Sequence, residues 1–249
     1  MSKTAFITGA TSGFGWATAI ALAKENYNLI ILGRRSERLD ELEKEICGVK
    51  IHKIAADVRD KKRIFDEVAN LPSEFQNIEI LVNNAGLALG QERTLEANLD
   101  DFETMIDTNI KGLIYVTKAV LPIMSKQKSG YIFNLGSVAG NWPYPGGNVY
   151  GGTKAFVKQF SLNLRNDLKG TNIRVTNIEP GIAKTEFSLV RFKGDSAKSD
   201  AVYDGTKYLT GDDIARIIVD LSKLPPHVNV NSIEVMATTQ SWAGFAFER

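Results

Sequence analysis

The sequence contains one cysteine and two histidines. Cys47 alone cannot close an internal disulfide, and His52 and His227 lie too far apart along the chain to offer zinc-ligand spacing, so no metal is expected. No apolar stretch approaches the roughly 20 residues needed to span a bilayer, so no membrane role is expected. Charge of one sign is not in excess either. With 30 Lys and Arg against 29 Asp and Glu, there is no whole-molecule field to recruit nucleic acid or an anionic surface. Repeats and low-complexity linkers are absent, and Met1-Ser2-Lys3-Thr4 leads into a strand-like run without the apolar core of a signal peptide, so the expected location is the cytoplasm.

What is present is ordinary globular composition, 43% hydrophobic and 24% charged, in a chain long enough to bury a large core as one unit spanning 1–249. Short β-rich runs recur at Thr4–Thr8, Asn28–Leu32, Lys50–Ala56, Ile80–Asn83, Tyr131–Leu135, Asn172–Ile178 and Ser232–Met236. Helical patterns lie between them, at Trp16–Lys24, Glu37–Ile46, Lys61–Leu71, Asp101–Met124, Val149–Leu168 and Asp212–Leu224. That alternation predicts an α/β fold, a doubly wound parallel sheet of seven strands with helices on both faces. Two regions break it. Residues 183–209 are polar and aperiodic, as expected of a substrate lid at the carboxyl edge of the sheet or of a tolerated surface insertion. The tail, 239–249, carries Trp242, Phe245 and Phe247 without periodicity, which suits docking onto another subunit or onto the chain's own surface.

Thr8-Gly9-Ala10-Thr11-Ser12-Gly13-Phe14-Gly15 follows the first strand and opens the first helix. Open α/β sheets bind a nucleotide pyrophosphate at this point. Gly9 permits the tight turn, Gly13 lets the backbone approach phosphate and Gly15 lets the helix pack close to the strand; a purely structural turn is the competing reading. Where NAD would call for a carboxylate after the second strand, this sequence has Gly33-Arg34-Arg35. Two guanidinium groups suit a 2′-phosphate, so NADP is expected, against the alternative of a solvated basic turn. Asp57 and Val58, ending the third strand, are placed at the adenine pocket, although an aspartate there serves equally as a helix cap.

Tyr150 and Lys154 are four residues apart on a predicted helix and project from one face. A nearby ammonium together with a nicotinamide cation favours the phenolate, which would lower the tyrosine pKa toward working pH and let it exchange a proton with a hydroxyl or carbonyl. Ser137, just past the fifth strand, is placed to hold the substrate oxygen. A Tyr-x-x-x-Lys pair alone is most often helix surface. Joined to a strand-end serine and a phosphate loop in one sheet, it is far more specific.

With these motifs the sequence resembles the short-chain dehydrogenase/reductase family over essentially its whole length. Thr8–Gly15 is similar to the family's TGxxxGxG loop, Asn83-Asn84-Ala85-Gly86 to its NNAG segment, Ser137 and Tyr150 to Lys154 to its Ser and YxxxK, and Pro180-Gly181 with Thr185 to its PGxxxT segment. The resemblance implies a Rossmann-type fold. It implies cofactor contacts from Asn83, Ala85, Gly86, Pro180, Gly181, Ile182 and Thr185, and a proton-relay role for Asn109. It further implies a homotetramer, whose contacts are expected on the apolar faces of the Asp101–Met124 and Val149–Leu168 helices. One departure is Gly151-Gly152 between Tyr150 and Lys154, where the family often has alanine and serine; at roughly 1 kcal/mol each relative to alanine, these predict a looser helix start.

A narrower resemblance is to the NADP-dependent branch acting on 3-hydroxy acids, including serine and allo-threonine dehydrogenases and malonic semialdehyde reductases. It rests on Gly33-Arg34-Arg35, Asn141-Trp142-Pro143-Tyr144, Ile178-Glu179-Pro180-Gly181, Thr185 to Phe192 and His227 to Asn231. The implied reaction is hydride transfer between NADP(H) and the hydroxyl or carbonyl carbon of a small molecule, with Tyr150 as acid/base. A 3-hydroxy acid wants a guanidinium partner, for which Arg191 is the candidate, a surface arginine being the alternative. A reductase of bulkier ketones or aldehydes, an epimerase or dehydratase, and a non-catalytic NADP-binding sensor are the competing functions; the last predicts a broken constellation, whereas Asn109, Ser137, Tyr150 and Lys154 are all present.

Overall fold

The computed structural model describes residues 3–241. Seven strands, β1 Thr4–Thr8, β2 Asn28–Gly33, β3 Ile51–Ala55, β4 Ile78–Asn83, β5 Gly130–Leu135, β6 Ile173–Pro180 and β7 Ser232–Val235, form one parallel sheet in the order β3-β2-β1-β4-β5-β6-β7. All residues of β1, β2 and β5 are buried, as a parallel sheet covered on both faces requires. Strand side chains alternate between two cores. Ala5, Ile7, Leu29, Ile31 and Val82 face α1 (Gly13–Lys24), α2 (Ser36–Glu45) and α9 (Gly211–Ser222). Phe6, Ile30, Leu32, Ile54 and Leu81 face α3 (Lys61–Ala69), α5 (Leu113–Gln127) and α6 (Asn148–Asp167). Each such valine, leucine, isoleucine or phenylalanine contributes about 1.5–3 kcal/mol by leaving water.

The chain order reverses between β1 and β4, and a crevice opens there at the carboxyl ends of the strands. Three departures from sequence periodicity shape its walls. The helix expected over Asp101–Met124 is divided into α4 (Leu99–Ile106), a π-helical turn (Asp107–Gly112) and α5. A Cβ on Gly112 would lie 2.6 Å from Val58 Cγ2, so this turn presses close to the end of β3. Second, the 183–209 excursion carries two short helices, α7 (Phe187–Arg191) and α8 (Ser196–Ala201). A parallel bridge between Ala183 and Leu209 closes its base. Third, α6 begins before its two glycines, at Asn148. A Cβ on Gly151 would meet the Ala139 carbonyl at 2.9 Å, whereas one on Gly152 would meet nothing. Trp242, Phe245 and Phe247, expected to dock, lie outside the described residues.

Candidate active site

The loop after β1 is held by side-chain bonds from the neighbouring strand. Thr8 Oγ1 donates to the Val82 carbonyl and accepts from the N–H groups of Asn84 and Ala85, both at 3.0 Å. Asn84 Nδ2 in turn donates to the Thr8 and Gly9 carbonyls at 3.0 and 3.1 Å. Gly9 (φ +66°) and Gly13 (φ +53°) take left-handed backbone that side chains rarely adopt, and a Cβ on Gly15 would sit 2.3 Å from the Gly9 carbonyl oxygen. Gly9, Thr11, Ser12, Gly13 and Phe14 wall the crevice. Ala10 instead lies in the core, and Gly15 packs behind the loop. Ser12 caps α1 without using its side chain, so the first amides of α1 retain donors for an anion.

At one end of the crevice, a Cβ on Gly33 would strike Thr11 Cγ2 at 2.4 Å; glycine lets the turn after β2 close on the loop. Arg34 is exposed on the crevice wall. Arg35 Nη2 donates to the Thr11 carbonyl at 3.1 Å, to Thr11 Oγ1 at 3.2 Å and to Glu186 Oε2 at 2.9 Å. Asp57 and Val58 line the same end, and the capping alternative for Asp57 falls away because Asp60 caps α3. Burial raises the Asp57 pKa, but hydrogen bonds and charge from Arg59, with Arg34 beyond, outweigh it and hold the carboxyl below its usual value.

At the other end, Ser137 turns the chain out of β5, its Oγ accepting from Ala139 N at 3.1 Å and its hydroxyl favouring the ionised form of the Tyr150 phenol. Tyr150 is 8% exposed, and its ring centre lies 5.6 Å from that of Phe187. Lys154 Nζ donates to the Leu135 carbonyl at 2.7 Å and stands 5.9 Å from the tyrosine ring centre. The four-residue spacing thus brings both groups to the crevice, but it does not acidify the phenol. Burial pushes the Tyr150 pKa up to about 12, against smaller opposing effects of Ser137 and Arg191, and burial alone pushes Lys154 down to about 8. The expected acidification invoked a nicotinamide cation as well as the lysine; with the protein's own groups alone, burial is the larger effect on the phenol.

Asn109 is buried on the π-helical turn. Its Nδ2 donates to the Leu87 carbonyl at 2.8 Å and Thr153 Oγ1 at 3.0 Å, and its Oδ1 accepts from Leu87 N at 2.8 Å. It locks the segment after β4 to α6 rather than walling the crevice. A Cβ on Gly86 would lie 3.2 Å from Asn109 Oδ1 and 3.4 Å from Lys154 Nζ, so both approach the chain there. Ala85 and Gly86 line the crevice, whereas Asn83 turns away to donate to Thr117 Oγ1 and Asn134 Oδ1, at 2.9 and 2.8 Å.

The short chain dehydrogenase family model matches residues 3–194. The chain is a short-chain dehydrogenase. It is 53% identical over 244 residues, 98% of each chain, to the NADP-dependent 3-hydroxy acid dehydrogenase YdfG of Escherichia coli K12. To the sulfoacetaldehyde reductase 2 of Chromohalobacter salexigens it is 53% identical over 251 residues, all of both chains. Among solved structures, the closed form of a serine dehydrogenase complexed with NADP+ superposes with a TM-score of 0.95 at 52% identity, covering 99% of each chain.

In this short-chain dehydrogenase the excursion carries residues that sequence reasoning passed over. Pro180, Gly181 and Thr185 line the crevice as expected. Ile182 is 39% exposed and off its wall, with its N–H bonded to Gln240 Oε1. Glu186, Phe187 and Val190 complete that side, and Asn84, Leu87 and Thr108 the opposite one. Asn84 and Thr108 were within reach of the sequence, each beside an expected contact; Glu186 and Phe187 lie in the Thr185 to Phe192 segment of the narrower resemblance, which assigned neither a role. Arg191 is not on the crevice wall. Its guanidinium stands behind it, 5.2 Å from the Tyr150 ring centre, 5.6 Å from Phe187 and 5.9 Å from Tyr144, with Nη2 donating to Tyr144 Oη at 2.8 Å.

Proposed function

We propose that the protein is an NADP-dependent oxidoreductase that moves a hydride between NADP(H) and the hydroxyl or carbonyl carbon of a small 3-hydroxy acid of the serine, allo-threonine or 3-hydroxypropionate type. One observation carries the substrate class: among the described residues, Arg191 Nε is buried without a hydrogen-bond partner, in an aromatic cage that includes Tyr150. A buried donor on a cation is costly unless an acceptor meets it, and an acid group two bonds from the reacting carbon supplies one.

The crevice fits the cofactor. Gly9, Gly13 and Gly86 line it without side chains, α1 offers amides for the pyrophosphate, and Arg34 and Arg35 would hold the 2′-phosphate. Lys154 would hold the nicotinamide ribose. The nicotinamide, when bound, supplies or accepts the hydride and, in its oxidised form, a positive charge. In reduction, the protonated Tyr150 gives its proton to the substrate oxygen while Ser137 orients that oxygen; oxidation runs the same transfers backward. The relay role of Asn109 belongs to this reading, with the amide holding the Leu87 backbone in place beside Lys154. The 183–209 excursion acts as the substrate lid.

A guanidinium reads a sulfonate as readily as a carboxylate. A short sulfonated aldehyde is therefore the second reading, favoured by the sulfoacetaldehyde reductase relative. We extend the proposal to a homotetramer working in the cytoplasm, following the family resemblance and the partly buried Phe156 and Phe160 along α6; sedimentation tests the assembly. Nicotinamide absorbance followed with NADP and NAD against serine, allo-threonine, 3-hydroxypropionate, sulfoacetaldehyde and an apolar ketone tests cofactor and substrate together. Turnover of the apolar ketone alone would refute the acid-substrate reading.

A further inference from the structure

The short helix α7 reaches both ends of the crevice. Arg191 at its last position meets Tyr150, while Glu186, immediately before it, meets Arg35 across 151 positions of sequence. The Glu186 and Arg35 side chains are 40% and 42% exposed, so the ion pair adds little to folding. Its position is what matters. Among the described residues, the three side-chain hydrogen bonds of Arg35 all come from Nη2, and the charged partner among them is the Glu186 carboxylate, itself on the crevice wall. A 2′-phosphate brought to Arg35 meets that carboxylate within a few ångströms, where like charges repel.

We propose that Glu186 is a specificity-determining residue that competes with the 2′-phosphate of NADP(H) for Arg35, holding NADP(H) affinity down and narrowing the preference over NAD(H). With NAD(H), which has no phosphate at that place, the Arg35–Glu186 pair persists and the carboxylate has no anion to oppose. This rests on the reading of Arg34 and Arg35 as the phosphate site.

The test is titration of the intact protein with NADPH and with NADH, following nucleotide fluorescence, for the parent, Glu186→Gln and Arg35→Gln. Glu186→Gln is expected to tighten NADPH binding about three- to tenfold and to leave NADH nearly unchanged, with the contrast shrinking as salt is raised. Unchanged or weaker NADPH binding overturns the proposal, and so does equal tightening of both nucleotides, which would mark a general charge effect. Arg35→Gln separates the two layers. If it weakens NADPH selectively while Glu186→Gln is silent, the competition fails and the phosphate site stands. If it leaves NADPH binding intact, the phosphate reading of Arg35 fails and the competition falls with it.

Discussion

The guanidinium carbon of Arg191 lies 5.2 Å from the centre of the Tyr150 ring. A fixed cation beside the phenol that we propose transfers the proton is one of the few influences that lower the pKa of a tyrosine otherwise raised by burial. On the proposed reading it also receives an acid group of the substrate.

Replacing Arg191 with Met keeps the side chain's length and removes its charge. Losing a hydrogen bond to a charged group costs about 1.5–3 kcal/mol, so kcat/KM for serine or 3-hydroxypropionate should fall about 10- to 100-fold. A neutral alcohol should lose much less. Equal losses on acid and neutral substrates, measured by steady-state kinetics, would remove Arg191 from substrate recognition.

Tyr150→Phe removes the proton but keeps the ring. Turnover should drop by about 100- to 10,000-fold, with NADPH affinity nearly intact by fluorescence titration. Since the protein's own groups raise the phenol to about 12, the acid form prevails at neutral pH. Reduction should therefore stay level through neutral pH, while oxidation, which needs the base form, should climb with pH. An oxidation rate that falls as pH rises from 7 to about 9, a window well below that phenol, would contradict this assignment.

Lys154→Met isolates the cost of a buried ammonium. Below pH about 8, Lys154 is charged in both folded and unfolded chains and the whole penalty applies. Between that value and 10.5, the folded protein gives up its proton first, so the parent gains stability relative to the variant as pH rises. The displacement corresponds to about 3 kcal/mol. Urea denaturation of both proteins at pH values spanning this window should show the difference growing in that direction; a gap independent of pH would mean that the lysine is not desolvated.

Gly151 and Gly152 should respond oppositely to alanine. Gly152 faces open space, so Gly152→Ala should stabilise the protein by about 0.5–1 kcal/mol. Gly151→Ala sets a Cβ 2.9 Å from the Ala139 carbonyl, in the turn that carries Ser137, and should lower both melting temperature and turnover. A thermal melt of each variant is sufficient to check the pair.

The sequence by itself determined the seven alternating strands, the glycine turn after β1 and the shared face of Tyr150 and Lys154. Each follows from short-range rules: side-chain alternation along strands, the helical repeat, and the need for glycine where φ is positive. Tertiary structure decided what depends on where distant segments meet. It turned Asn83 into an internal network and Asn84 toward the phosphate loop, and it pressed Gly112 against Val58 where α4 and α5 part. It set Glu186 on Arg35 across 151 positions and buried Tyr150 and Lys154 deeply enough that desolvation dominates both pKa values. Desolvation and long-range pairing are properties of the packed chain, and no local pattern of residues encodes their size.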